Sequence, residues 1–364
     1  MNCKRKDLWF LCAGASDGRL PKARVTGLLI SAGYDCRTPR AVQRTKAMIK
    51  EARLKHLMVD SGGFQILCAE KRGISMTFNP EQPLRITRKS LNLAPRHVVE
   101  MAMEMNANSM VALDFPIRKI RDPDERQREF QMKLKHNVPW ARETAKLRKK
   151  LCPEIDLFIP VQAYDLDQFE TFYSKIKGID FTGFSLPVRN MSMKDIAAFL
   201  LRMHALGIRK CHVLGSSSLP VISVCAYMSG RYFDWVSFDA TSWRISAQHD
   251  TFIRPHDLST IRLKNVGSYD QKHVCPCKPC AGRSLKRIFA LEKEERMKIL
   301  IAHNYLAIKG LCEEFGRAQV DTRYLRKRLE GSKRSDINKI IRCMSEIETM
   351  CVIEKGGDDF ELNG

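Results

Sequence analysis

The sequence contains no apolar run approaching the roughly 18 residues of a membrane span, which excludes a transmembrane helix and sets aside a membrane partner. It has no G-x-G-x-x-G and no Walker pattern, so an open doubly wound sheet would lack its phosphate loop. None of the nine histidines is followed two residues later by Glu, and the H-x-E element of the zinc nucleobase deaminases is therefore missing. There is no internal repeat, no Pro-rich linker and no low-complexity segment. Acidic residues are scarce beside basic ones, 41 Asp+Glu against 62 Lys+Arg, for a net charge of +21 and a pI near 9.6. An excess of this size says little about fold but points to a polyanionic partner, nucleic acid or an anionic membrane surface being the usual candidates.

Cysteine is plentiful but not arranged for disulfides. There are 13, an odd number, scattered singly except for one tight cluster, a usage that suits reduced thiols in a cytoplasmic protein. The run Leu8–Cys12, behind Lys4-Arg5-Lys6 and ahead of Ala13-Gly14-Ala15, is too short for a signal peptide, and Asp7 interrupts its approach. The remaining composition, 364 residues with 44% apolar and 28% charged, is that of an ordinary globular chain with one large domain or two.

Short β-rich apolar runs recur along the chain at Leu8–Cys12, Val25–Ala32, His56–Val59, Met110–Phe115, Leu157–Val161, Phe181–Leu186, Cys211–Leu214 and Trp235–Phe238. Amphipathic charged stretches separate several of them, among them Pro39–Lys55, Pro95–Met105, Asp122–Lys150 and Met193–Leu206. Alternation of this kind predicts an α/β fold, and eight units match a closed (β/α)8 TIM-like barrel. Polar residues close or follow the runs: Asp60-Ser61-Gly62-Gly63 follows the third, Asp114 closes the fourth, Gln162 follows the fifth and Asp239 closes the last. An Asp after a strand often caps the next helix, and Gly-Gly often only makes a turn. Three carboxylates and an amide at the carboxyl ends of barrel strands, however, converge on the mouth where such folds build sites.

From Cys275 the character changes. His273-Val-Cys275-Pro-Cys277-Lys-Pro-Cys280 places three thiols within six residues, stiffened by Pro276 and Pro279, a knuckle suited to tetrahedral zinc. His303 on the helix expected downstream is the preferred fourth ligand, with His273 the alternative. Three Cys and one His fill the coordination sphere, so the Zn2+ is expected to be structural. A basic helical tail follows, carrying Arg283, Lys286, Arg287, Arg323, Arg326, Lys327, Arg328, Lys333 and Arg334, either a solvated face or a phosphate-contacting one. The end, Gly356–Gly364, is expected to fray. The organisation expected is a barrel over residues 1–270, a zinc-binding subdomain over 271–310 and a basic helical extension over 311–364.

Taken together, Val59-Asp60-Ser61-Gly62-Gly63-Phe64-Gln65, Ala112-Leu113-Asp114, Pro160-Val161-Gln162, Phe238-Asp239 and Cys-x-Cys-x2-Cys with a His 23 residues after the last Cys resemble the tRNA-guanine transglycosylase superfamily. The resemblance covers roughly residues 55–305 and implies a (β/α)8 barrel with an inserted zinc subdomain. It also implies that Asp239 is the nucleophile at C1′ of a guanosine nucleotide and that Asp60 is the general acid/base. Asp114 and Gln162 would read the purine edge, and Ser61, Gly62, Gly63 and Phe64 would line the substrate pocket with backbone groups near Gly183 and Leu186. The family's G-G-L at that last place reads Ser185-Leu186-Pro187 here.

Other departures carry information. The P-T-R segment that the tRNA enzymes have after the nucleophile is replaced by Ala240-Thr241-Ser242-Trp243-Arg244, in which Trp243 and Arg244 either hold the substrate strand or pack. The region before D-S-G-G is shortened, and no appended RNA-binding domain fits the remaining length. The pattern is more similar to the DNA-guanine transglycosylase branch, which places 7-deazaguanines such as 7-cyano-7-deazaguanine into bacterial or phage DNA. Expected partners are therefore DNA, with tRNA as the alternative, a 7-deazaguanine base, and a second copy of the chain or an accessory protein. A non-catalytic nucleic-acid-binding subunit is the remaining reading, and two acids facing a polyanion argue against it.

Overall fold

The structure, a computed structural model, describes residues 7–14, 20–36, 38–74, 76–79, 82–86, 91–189, 191–265, 273–332 and 334–358. Lys4-Arg5-Lys6, Ala15, Lys333 and residues 359–364 lie outside the described residues.

The chain begins with β1 (Asp7–Cys12) and β2 (Gly27–Ser31), followed by α1 (Pro39–Ala52), β3 (His56–Asp60) and α2 (Gly63–Lys71). A three-stranded antiparallel sheet is inserted there, made of β4 (Met76–Asn79), β5 (Gln82–Ile86) and β6 (Leu91–Leu93). Alternation resumes with α3 (Pro95–Glu104), β7 (Ser109–Val111), α4 (Pro123–Leu151), β8 (Asp156–Pro160), α5 (Leu166–Ile176) and β9 (Gly183–Pro187). It continues through α6 (Met193–Ala205), β10 (Lys210–Leu214), α7 (Leu219–Met228), β11 (Trp235–Ala240) and α8 (Ser242–Gln248). The parallel strands close as β1-β2-β3-β7-β8-β9-β10-β11 and back to β1. All eight apolar runs are barrel strands, so the architecture is a (β/α)8 TIM barrel. The inserted sheet was not anticipated: its strands are short and one contains Pro83, which reads as a turn or an edge rather than a ladder.

Local chemistry explains where the helices start. Thr38 accepts from the Ala41 amide ahead of Pro39, and Asp122 accepts from Glu125 ahead of Pro123. Ser192 and Asp195 form a reciprocal capping box at α6. The faces of the strands divide the interior in two. Outward residues such as Phe184 pack on Phe169 of α5, which in turn packs on Phe199 of α6. Inward residues Leu11, Leu29, Met58, Val111 and Phe158 fill the barrel's centre above a floor of Trp9, His56 and Trp235. An ion pair between Asp156 and Lys210 also lies at that amino-terminal end, where both residues open their strands.

After α8 the chain forms the hairpin β12 (Thr251–Ile253) and β13 (Thr260–Arg262), the cysteine knuckle, α9 (Leu285–Phe289) and the long α10 (Lys293–Arg317). The start of α10 joins a small separate core with Phe252, Ile261, Cys275, Cys280, Leu285 and Ile288. Its later turns cover β1: Tyr305 packs on Phe10 at 5.7 Å and against Trp243 edge-on at 6.2 Å. Two further helices, α11 (Thr322–Arg328) and α12 (Ile337–Asp358), complete the basic helical region. There Arg323, Arg326 and Lys327 are exposed, whereas Arg328 and Arg334 are engaged by Glu314 and Asp336. Among the described residues no helix is long and apolar enough to cross a membrane.

Candidate active site

A period of two along each strand decides which side chains enter the barrel. Asp60 is inward two residues after the core residue Met58, and Asp239 is inward two after Ser237, both at the carboxyl ends of their strands. Asp114 and Gln162 reach the same mouth from the turns after β7 and β8. They are bonded to one another, Gln162 Nε2 donating to Asp114 Oδ2 at 2.5 Å. Ser61 Oγ donates to the other Asp114 oxygen at 2.8 Å and accepts from the Gly63 amide at 3.0 Å.

The glycines of this segment have a steric reason. Gly62 has φ +92° and lies against Gly33, while a Cβ on Gly63 would stand 2.3 Å from Asp114 Oδ1. The D-S-G-G string is thus a close-approach device that brings Asp60 and Ser61 around Asp114.

Two of the carboxyl groups in this enclosure, Asp60 and Asp114, are held above the ordinary carboxylate range. Burial, helped by the negative charges of Asp114 and Asp239 and opposed by amide donation from Gly62 and Ser61, raises Asp60 to about 7. Burial likewise raises Asp114 to about 6, opposed by the hydrogen bonds from Ser61 and Gln162 and by the nearby Lys133 charge. Asp60 therefore holds or releases a proton near neutrality, as a general acid/base requires. Asp239 is buried, and its Oδ1 accepts from the Gly215 amide at 2.7 Å.

Sequence reasoning missed the scaffold beneath these groups. Lys133, mid-helix in α4, is fully buried and bonded to Glu129 at 2.7 Å, Glu70 at 2.9 Å and the Pro116 carbonyl at 2.5 Å. Arg118 joins Glu129 at 2.8 Å, the Ile117 amide donates to Gln162 Oε1 at 3.0 Å, and Asn137 brackets Phe115 through both its amide and its carbonyl. Together they fix the turn that carries Asp114. Nothing in the local sequence distinguishes Lys133 from a solvated helix lysine. Replacing it, Lys133→Met, strands the buried Glu129 and is expected to destabilise the protein by ~3–5 kcal/mol in urea unfolding. A loss under about 1 kcal/mol would mean that Arg118 alone neutralises Glu129.

Phe64, in the first turn of α2, is 49% exposed with the Arg189 guanidinium 5.0 Å from its ring centroid. One expected pocket position is not brought to the mouth. Gly183 opens β9 at the barrel's amino-terminal end, where a Cβ would strike the Lys210 carbonyl at 2.2 Å. Leu186 lies near the carboxyl end of β9, level with Phe238, with its side chain buried in the apolar layer outside the barrel. Trp243 also packs rather than facing a ligand: it is fully buried, its indole N–H donating to the carbonyls of Ala13 and Ala240. Arg244 donates to the Gly14 carbonyl at 2.6 Å.

The thiols of Cys275, Cys277 and Cys280 surround His303 Nδ1 at 3.4, 3.3 and 3.5 Å. Bonds of about 2.3 Å to sulfur and about 2.0 Å to nitrogen at tetrahedral angles place N and S roughly 3.5 Å apart, so the four donors fit a metal ion. His303 Nε2 donates to the Ile253 carbonyl at 2.8 Å and the ring stacks on Phe252 at 3.8 Å, which fixes the ring that presents Nδ1. His273 is not one of the four.

Comparison with known proteins agrees with this geometry. The queuine tRNA-ribosyltransferase family matches residues 35–327, a span that includes every group at the mouth and the Cys/His cluster. The tRNA-guanine(15) transglycosylase of Korarchaeum cryptofilum (strain OPF8) is 32% identical over 76 residues. That segment is 21% of this chain and 12% of the relative, so the chain matches only a small part of its curated relative. With most of its length matched and the barrel, mouth and cluster in place, the chain belongs to the queuine tRNA-ribosyltransferase family, a family of pentosyltransferases.

Proposed function

We propose that the protein exchanges guanine in DNA for a 7-deazaguanine, such as 7-cyano-7-deazaguanine, through a covalent nucleotide on Asp239. The observation that carries this reading is the meeting of Asp60 and Asp239 at one mouth, with the Asp60 proton held to about 7. Asp239 Oδ2 attacks C1′ and forms the C–O bond as the C1′–N bond to guanine breaks. The electron pair goes to the departing base, which takes the proton of Asp60. The Asp60 carboxylate then removes a proton from the incoming base, whose nitrogen attacks C1′ and releases Asp239. Two displacements at one carbon retain configuration. Asp114 and Gln162, locked to one another, present fixed acceptors and donors to the purine edge.

Cys275, Cys277, Cys280 and His303 would hold Zn2+, which supplies structure there because all four positions are taken by protein atoms. The DNA preference rests on the segment Ala240–Arg244 after the nucleophile and on the net charge of +21, since each neutralised phosphate releases counterions. A duplex guanine must be flipped out at a cost of about a few kcal/mol. A tRNA substrate is the second reading, favoured by the description of the matching family and the name of the archaeal relative.

The test is uptake of labelled guanine or 7-deazaguanine into double-stranded DNA and bulk tRNA in parallel. Label in DNA alone is expected, and label in tRNA alone replaces DNA with tRNA. No label in either, with no covalent adduct on a denaturing gel, would leave a nucleic-acid-binding subunit.

A further inference from the structure

The centre of a TIM barrel is normally packed with branched apolar side chains, yet on three adjacent strands this barrel is polar directly below Asp239. In register across β9, β10 and β11 lie Ser185, His212 and Ser237, all fully buried. Ser237 Oγ and His212 Nδ1 are 2.6 Å apart. The other ring nitrogen, Nε2, has no bonded partner and points to Asp239 Oδ1, 3.4 Å away. A small rotation of the carboxylate turns that approach into a hydrogen bond, and catalytic contacts commonly tighten only when substrate is present. Leaving a fully buried imidazole nitrogen orphaned is costly, which argues that the contact is used.

Resting on the Asp239 reading above, we propose that His212 is a positioning residue that selects which oxygen of Asp239 attacks. Ser237 O–H donates to Nδ1, which fixes the neutral ring with its proton on Nε2. That N–H and the Gly215 amide both hold Oδ1, the latter at 2.7 Å. Oδ2 is left directed at the mouth with its lone pairs free. The second-layer hydrogen bond thereby orients the nucleophile in the way that such bonds orient metal ligands and triad histidines.

The experiment compares His212→Leu, which keeps volume without a donor, with His212→Gln, whose amide N–H has similar reach, and with Ser237→Ala. Single-turnover adduct formation is expected to fall about 100-fold in His212→Leu with KM within threefold. His212→Gln should recover at least tenfold of that loss, and Ser237→Ala should lose about tenfold. Equal losses in the Leu and Gln variants, or full activity in His212→Leu while Asp239→Ala is dead, would overturn the positioning role and leave the Asp239 mechanism standing. Base exchange that persists in Asp239→Ala would instead remove that mechanism. A readout free of activity is the 15N signal of histidine-labelled protein, assigned by its absence in His212→Gln. It should report the Nε2–H tautomer and shift in Asp239→Asn, and an unchanged signal there would also overturn the contact.

Discussion

Asp239→Ala is expected to abolish the covalent nucleic-acid adduct and to lower base exchange by at least ~10³-fold, because in the proposed reaction its carboxylate is the group that bonds C1′. Its partner substitution, Asp60→Asn, separates the two halves of the reaction. Asp60 must carry a proton to expel guanine and must lack one to accept the incoming base's proton. With its pKa raised to about 7, adduct formation should fall as pH rises through 7, and resolution of the adduct should fall as pH drops through 7. Overall exchange then peaks near neutrality, and Asp60→Asn should remove the dependence along with most of the rate. The same shift has a sign for stability. A carboxyl whose pKa is raised by folding stabilises the fold fully below its unfolded value of about 4, and that contribution is lost as pH rises toward 7. Asp60→Asn should therefore be more stable than wild type at pH 8, by roughly 1–2 kcal/mol, and no more stable at pH 3. Wild-type exchange with Asp239→Ala, or a flat pH profile for the two half-reactions, would contradict the assignment.

Removal of the metal ranks second in expected effect. Chelation of wild type, and separately Cys280→Ser, should release one zinc per chain and lower Tm by about 10 °C, since structural zinc contributes several kcal/mol of folding free energy. The loss is not confined to the knuckle. His303 is followed by Asn304, which bonds the Trp243 and Thr251 carbonyls and the Ile253 amide, and by Tyr305, which packs on Phe10 of β1. Loosening His303 thus loosens the wall beside β11, and exchange should fall with the metal. Metal content and differential scanning fluorimetry on both samples check this. A Cys280→Ser protein that keeps its zinc and its Tm within about 2 °C would show that the thiol is not a ligand.

Much of this molecule was legible in its sequence for identifiable reasons. The eight apolar runs stood out because both faces of a barrel strand are covered, so Leu28-Leu29-Ile30 or Met110-Val111-Ala112 read as continuous. The four polar groups at the mouth stood out because each ends such a run, and the knuckle because three thiols are close in sequence. What stayed illegible depends on contacts remote in sequence. Lys133 meets Glu70 across 63 residues, and His212 lies within an ordinary strand with only its register on Ser185 and Ser237 to mark it. The misplaced Gly183 has the complementary lesson. The resemblance set backbone groups near it in the pocket, whereas Gly183 opens β9 at the far end of the barrel and the Lys210 backbone fills the space beside it.

The position of α10 has a consequence for how the chain is made. β1 ends at Cys12, and the helix that covers it begins only at Lys293, so the strand leaves the ribosome long before its cover. At ~5–20 residues per second, Leu8-Trp9-Phe10-Leu11-Cys12 waits on the order of tens of seconds for its cover and for pairing with β11. During that interval it is a bare, strongly apolar edge of the kind that seeds aggregation. Production of the protein in a foreign host should depend on a chaperone that shields the nascent β1, and on zinc supply at the moment α10 emerges.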